Sequence, residues 1–378
     1  MKPAKSAEAT IAPPAPPPPR SGHLPFLVQV ILANPRGFCA GVQMAVDVVD
    51  QVLELFAGEV IYVYHAIVHN RHVVGRFEDR GVIFVEDVDD VPEGHVVVFS
   101  AHGIPPAVRE RAKARNLRAI DATCPLVTKV HSEAIRYSRQ GYQILLVGHA
   151  DHQEIIGTRG HAPDATQVVE SPADIPSLRI DDPDKLVYLT QTTLSTDDAG
   201  IIINALKEAF PNIKAPPGED ICYATTNRQS AVRQIAPECD LVLVVGSTNS
   251  SNSKRLTEIS QNVGTQAQLI DDATGIDWSW FTSPDARVLV TAGASAPEDL
   301  VAGVCRALLD RFGGAIEQRD IHDEDIEFNL PGELRREMKS RGIDASKKIR
   351  VAAPALTADL YGAVPLTVSA KTESAEKD

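Results

Sequence analysis

An α/β fold of three similar modules, with mostly parallel sheets set around a pseudo-threefold centre, is predicted by three observations. Short apolar runs alternate with helix-period segments, three cysteines recur at matching places, and each cysteine is followed by two polar loops in the same order. The runs are FLVQVILA, HVVVFS, QILLVGH, DLVLVVG and RVLVTAG. Uninterrupted apolar runs suit strands covered on both faces, the habit of parallel sheets. Loops that follow such strands gather at their carboxyl ends, where α/β sheets take their ligands.

The repeated order is legible residue by residue. In the first third Cys39 follows a strand within NPRGFCAGV, then VHN brings His69 and SAHG brings His102. In the second, DATCPLVT carries Cys124, GHADHQE carries His152 and Glu154, and TQTTLS carries Thr192. In the last, DICYATTNRQ carries Cys222, GSTNSSNSKR carries Ser250, Ser251 and Asn252, and TAGASAP carries Ser295. Packed around a threefold axis, these loops face one centre and the three cysteines meet there. The spacing divides the chain into modules at 27–122, 123–219 and 220–312, with 313–346 returning to the core.

The ends read differently. Residues 1–26 are rich in Ala and Pro, lack the apolar core of a signal peptide and contain Glu8, so a disordered tail is expected. Residues 347–378 are expected as a flexible tail whose apolar stretches could dock on a neighbour.

Composition excludes several function classes. The 378 residues, 43% hydrophobic, suffice for one large or two to three smaller cores. With 37 Lys and Arg against 51 Asp and Glu, the net charge is −14 and no basic run occurs, which argues against nucleic acid and anionic membranes. No apolar run approaches the roughly 20 residues that span a bilayer. A cytoplasmic protein is expected. An anionic ligand must then be caught locally by histidines, hydroxyls, amides and helix N-termini. Neither a GxxxxGK[ST] nor a GxGxxG motif is present, so nucleotide binding lacks a signature.

Five cysteines without a CxxC pair, in a chain without an export signal, do not form a disulfide framework. Cys239 and Cys305 lie inside apolar segments and read as small core residues. For Cys39, Cys124 and Cys222 the matching positions favour metal ligation. A thiolate triad suits a zinc with a fourth ligand, or an iron–sulfur cluster with one iron not held by protein. Zinc usually draws closely spaced cysteine pairs, whereas a cluster at the junction of three modules tolerates ligands far apart in sequence. His69, His102, His152, Ser250, Ser251, Asn252 and Ser295 together make a compact anion clamp. Glu154 reads equally well as a general acid or as a carboxylate favoured by a helix N-terminus.

Taken together, NPRGFCAGV, VHNRHVV, FSAHGIP, DATCPLVTKVH, GHADHQE, TQTTLS, DICYATTNRQ, VVGSTNSSNS and TAGASAP closely resemble the 4-hydroxy-3-methylbut-2-enyl diphosphate reductase (LytB/IspH) family, over residues 27–331. The resemblance implies an oxidoreductase at the last step of the non-mevalonate (MEP) isoprenoid route. It removes the substrate's allylic hydroxyl reductively, with two electrons, giving isopentenyl and dimethylallyl diphosphate. It further implies that Cys39, Cys124 and Cys222 hold a [4Fe-4S] cluster whose open iron takes the hydroxyl oxygen and is readily lost to leave [3Fe-4S]. By the same resemblance His69, His102, His152, Ser250, Ser251, Asn252 and Ser295 bind the diphosphate, Thr192 orients the hydroxyl, Glu154 delivers protons, and a ferredoxin or flavodoxin donates electrons. Two departures stand out: DHQE replaces the family's common GHPE, and Gln43 and Met44 stand where relatives often carry an acidic residue and Arg. The rivals are a zinc-dependent phosphohydrolase and an iron–sulfur sensor that binds a phosphorylated metabolite.

Overall fold

The computed structural model describes residues 27–283, 285–351 and 355–369. The expected disordered head, 1–26, lies outside the described residues.

After strand β1 (Val28–Asn34) and helix α1 (Ala40–Leu55) the chain builds a first unit from β2 (Ile61–Tyr64), α2 (Arg71–Glu78), β3 (Ile83–Val85), β4 (Val96–Phe99), α3 (Pro106–Ala114) and β5 (Arg118–Asp121). Helix α4 (Pro125–Arg139) leads to β6 (Gln143–Val147), α5 (Gln153–His161), β7 (Thr166–Val169), β8 (Leu186–Thr190) and α6 (Thr196–Ala209). Helix α7 (Tyr223–Ile235) leads to β9 (Leu241–Val245), α8 (Ser251–Asn262), β10 (Gln266–Ile270), β11 (Arg287–Ala292), α9 (Glu298–Phe312) and β12 (Gly314–Asp320). The chain then adds β13 (Glu327–Asn329), α10 (Gly332–Ser340), β14 (Lys348–Arg350), α11 (Ala358–Tyr361) and β15 (Leu366–Ser369).

Among the described residues the three larger sheets run β3-β2-β4-β5, β7-β6-β8 and β10-β9-β11-β1-β12-β15, with every pair parallel. Each contains a strand buried along its whole length, Val96–Phe99, Leu186–Thr190 and Leu241–Val245. This is why they read as unbroken apolar runs. The antiparallel pair β13-β14 stands apart.

The sheets place the module boundaries differently from the sequence spacing. Strand β1, assigned to module 27–122, pairs instead with β11 and β12 of the last third. It occupies in that sheet the place β5 holds in the first, and in the second sheet a single parallel bridge, Val187 to Lys214, marks the corresponding place. Each repeat therefore ends, rather than begins, at a cysteine-bearing junction. The helix beyond the cysteine packs onto the next unit: α1 residues Ala45, Val48 and Val52 join Ile61 and Val63, α4 residues Val130 and Ala134 join Ile144 and Leu146, and α7 residues Ala231 and Val232 join Val242 and Val244. Cys39, Cys124 and Cys222 thus sit where the chain is handed from one sheet to the next.

The expected free tail from residue 347 is also corrected over 355–369. Strand β15 extends the largest sheet beside β12, and Tyr361 is fully buried among Val304, Leu308 and Ile316. Its apolar side chains dock on this chain's own core.

Candidate functional site

Each of Cys39, Cys124 and Cys222 is the N-cap residue of its helix, α1, α4 and α7. Their backbone N–H groups make the same bond three times: Cys39 donates to the Ala294 carbonyl at 3.3 Å, Cys124 to Ala101 at 3.0 Å and Cys222 to Thr192 at 3.0 Å. Each acceptor lies in the polar loop that closes the preceding unit, so every cysteine is tied beside one of Ser295, His102 and Thr192.

The thiols meet the first-turn N–H groups of their own helices, from Gly41 and Val42, from Leu126 and Val127, and from Thr225. The Thr225 hydroxyl lies 3.2 Å from Cys222 Sγ. Helix N-termini favour anionic sulfur, but burial outweighs them here and lifts all three thiols, Cys222 to about 11. Charge on Cys39 further raises both Cys124 and Cys222, so the three sulfurs share one field. A Cβ on Gly41 would fall 2.5 Å from Cys124 Sγ and 3.9 Å from Cys39 Sγ, which is why this helix opens with Ala-Gly. All three are free thiols. Among the described residues no group of three or more His, Cys, Asp or Glu is already drawn together around a metal position. Three separately anchored, mutually coupled thiols fit a polynuclear cluster, whose ligands surround a larger body than one ion.

The histidines converge as well. His69 and His102 stack with centroids 3.9 Å apart, and the His152 ring stands edge-on to them at 5.4 and 6.2 Å. His152 caps α5, its Nδ1 accepting from the Glu154 N–H at 3.2 Å, so the neutral ring carries its proton on Nε2. Burial pushes His69 down to about 4, His152 to about 3 and His102 well below its ordinary value, each reinforced by neighbouring histidines. All three are neutral at pH 7.

The last unit closes the ring. Ser295 donates to the His69 carbonyl at 2.9 Å, and Ser251 donates to the Thr193 carbonyl at 3.4 Å, stitching this unit to the other two. Ser250 caps α8 by accepting from the Ser253 N–H. Asn252, 3% exposed, has neither its Oδ1 nor its Nδ2 bonded, and both ring nitrogens of His69 are likewise unpartnered. Leaving such groups dry and unpaired costs roughly 1–3 kcal/mol each, so they mark where a polar ligand belongs.

Glu154, 2% exposed, is held by Thr192: Oε1 accepts from the Thr192 N–H at 2.6 Å and Oε2 from its hydroxyl at 3.0 Å. Burial lifts its carboxyl to about 7 against these two bonds, with the Asp220 charge adding to the rise. Of the two readings open in the sequence, the helix-cap reading accounts for its place in the first turn of α5, and the raised carboxyl equips it to give up a proton at neutral pH.

The local electrostatics at these residues favour an anion although the protein as a whole is acidic. Helices α1, α2, α4, α5, α7, α8 and α9 all begin within three residues of the predicted site residues, bringing first-turn N–H groups and positive dipole ends to one place.

A family model described as LytB protein matches residues 30–309. The chain belongs to the LytB family. It is 51% identical over 308 residues to 4-hydroxy-3-methylbut-2-enyl diphosphate reductase of Rhodopirellula baltica, covering 82% of this chain and 96% of that protein. It is 52% identical to the reductase of the same name from Alcanivorax borkumensis, covering 82% of this chain and all of that one. Among solved structures, E-1-hydroxy-2-methyl-but-2-enyl-4-diphosphate reductase from Plasmodium falciparum superposes with a TM-score of 0.80 at 40% identity, over 84% of this chain and all of that chain.

Within this LytB chain, sequence reasoning missed the buried arginines. Arg228, fully buried on α7, donates to the Gly37 carbonyl at 2.8 Å and pairs with Glu324 at 2.9 Å, locking the Cys39 loop to the helix that Cys222 caps. The Tyr223 hydroxyl accepts from the Ala40 N–H at 3.2 Å, joining the same two helices. Their only sequence signal was position: Tyr223 and Arg228 lie one and six residues after Cys222 inside DICYATTNRQ. Removing one partner of such a buried pair is expected to cost about 3–5 kcal/mol, so Arg228→Met should lower the melting temperature sharply. Thermal denaturation followed by circular dichroism checks this. Gln43 donates to Asp47 at 2.6 Å, and Met44 is buried in the core against the first sheet.

Proposed function

We propose that this chain reduces 4-hydroxy-3-methylbut-2-enyl diphosphate to isopentenyl and dimethylallyl diphosphate, the terminal step of the non-mevalonate route. The observation that carries the reading is the continuity from Cys222 through Thr192 to Glu154: the cysteine amide bonds the threonine carbonyl, and the threonine amide and hydroxyl both bond the acid. A proton donor is thereby fixed beside a thiol site. Membership of the LytB family and the printed names of its relatives point the same way.

Cys39, Cys124 and Cys222 would hold the iron–sulfur cluster, three protein ligands leaving one iron of a [4Fe-4S] body open. When bound, the cluster supplies two electrons and Lewis acidity to the substrate hydroxyl. Thr192 holds that hydroxyl toward Glu154, and Glu154 gives the proton with which it leaves as water. His69, His102, His152, Ser250, Ser251, Asn252 and Ser295 grip the diphosphate, so that the allyl fragment lies against the acid. The external electrons would come from a small one-electron carrier, a ferredoxin or flavodoxin. No described helix is long and apolar enough to cross a membrane.

The neutral histidines give the clamp a pH signature. A bound diphosphate places negative charge beside imidazoles whose protonation burial has suppressed, and this raises their affinity for protons. Binding of inorganic diphosphate near pH 6.5 is expected to take up protons, measured calorimetrically as a heat that changes with the ionisation enthalpy of the buffer. The function itself is tested by anaerobic assay of the reductase with a chemical electron donor. Turnover to the two products supports it; a protein that instead releases inorganic phosphate from the substrate is the zinc-type phosphohydrolase.

A further inference from the structure

The segment 355–369 lies beyond the residues that the family model matches, yet it places a side chain behind the Cys39 loop. Strand β15 pairs in parallel with β12, Ile316 opposite Leu366 and Gln318 opposite Val368, and this seats α11 against α9. Tyr361, the last residue of α11, points its hydroxyl at Arg36 and Glu298.

Arg36 is three residues before Cys39, and its side chain is wholly buried. Every nitrogen of its guanidinium is committed: Nε and Nη2 to Glu298 Oε1 at 3.1 and 2.6 Å, Nη1 to the Ala33 carbonyl at 3.0 Å and Gln318 Oε1 at 3.1 Å, and Nη2 also to the Tyr361 hydroxyl at 3.2 Å. The Tyr361 hydroxyl in turn donates to Glu298 Oε1. Gly37, next along, adopts φ 63° and would bring a Cβ to 3.0 Å from the Ala296 carbonyl, so the turn has no slack in which to absorb a shift of Arg36. Glu298 opens α9, directly after the Ser295 loop.

We propose that Tyr361 is a positioning residue for Cys39: its hydroxyl fixes the buried Arg36–Glu298 pair, and that pair fixes the turn which presents the Cys39 thiol. Without the tyrosine one Nη2 donor of Arg36 would be left without an acceptor in a buried environment, and Glu298 Oε1 would keep only its two bonds from Arg36. The consequence for a bound cluster rests on the reading of Cys39 as its ligand; the consequence for the thiol does not.

The test uses the full chain purified anaerobically with its iron, and compares Tyr361→Phe with the parent and with Leu366→Ala. The phenylalanine keeps the ring in the core and removes only the hydroxyl, whereas the alanine thins the packing of the same segment and leaves the hydroxyl in place. Iron release to a chelator is followed by loss of visible absorption, and N-ethylmaleimide labelling is mapped to each cysteine. Tyr361→Phe is expected to release iron roughly ten- to hundredfold faster, as befits one lost charge-assisted hydrogen bond. Cys39 should be labelled ahead of Cys124 and Cys222, with Leu366→Ala behaving as the parent. Release at the parent rate, or parallel labelling of all three cysteines, would overturn the proposal. Parent protein without iron would sink the cluster reading alone, because the order of labelling still reports on the Cys39 turn.

Discussion

Glu154→Gln is expected to cut turnover by about 10²–10⁴-fold, the usual worth of a positioned acid, while iron content and substrate affinity stay near those of the parent. Glutamine matches the shape of the carboxyl, its carbonyl can keep the bond from the Thr192 N–H, and the Thr192 hydroxyl can turn to accept from the new amide. Only the transferable proton is gone. The parent has its own signature: burial lifts the Glu154 carboxyl to about 7, so the protonated fraction, and turnover with it, should fall as pH rises through that value. Stability follows the same sign. The unfolded chain loses this proton near about 4.3, so between there and about 7 the folded chain binds more protons, and stability declines as pH climbs across the window. In Glu154→Gln that slope should flatten, which denaturant titrations at pH 5 and pH 7.5 would register. A glutamine variant with parent turnover would remove Glu154 from the proton path.

The cysteines make the second large prediction. Cys39→Ala, Cys124→Ala and Cys222→Ala should each lose essentially all iron and acid-labile sulfide, and all turnover. Cys239→Ala and Cys305→Ala should keep both. The contrast is structural: Cys239 donates to the Ile235 carbonyl from a side chain packed among Val242 and Leu256, and Cys305 is buried inside α9. Neither caps a helix at a junction between sheets. Losing the Cys305 sulfur should cost about 1–2 kcal/mol of packing and leave the metal untouched. Metal analysis of the five variants, prepared side by side without oxygen, decides the matter. Full iron in any of the first three would end the ligand assignment for that residue.

How legible was this molecule in its sequence? The strands were, because a parallel sheet buried on both faces leaves runs such as QILLVG without a polar break. The meeting of the polar loops was legible too, since they recurred in one order and the fold brings them together: the stacked His69 and His102, the bond from Ser295 to His69, and the pairing of Glu154 with Thr192. The partner of β1 was not legible. FLVQVILA carries nothing that distinguishes β2 from β11 as a neighbour, because pairing over long separations is decided by packing. Arg36 and Arg228 were passed over for a related reason: an arginine reads as surface unless its partners are known, and Glu298 and Glu324 lie far along the chain. The tail misled by composition. Its short apolar pieces among Ala, Pro and Gly suggest a free end until Tyr361 finds Arg36 and Glu298.

The place of β1 has a consequence for how the molecule is made. Both neighbours of this first strand, β11 and β12, belong to the last third of the chain, whereas the first two sheets draw on segments close together in sequence. On a ribosome those two sheets can form as they emerge, while β1 must wait, unpaired, for almost the whole polypeptide. The Cys39 turn cannot be set until then. The Cys39 thiol is therefore placed last, and a nascent or truncated protein lacking β11 and β12 presents Cys124 and Cys222 without Cys39 set beside them.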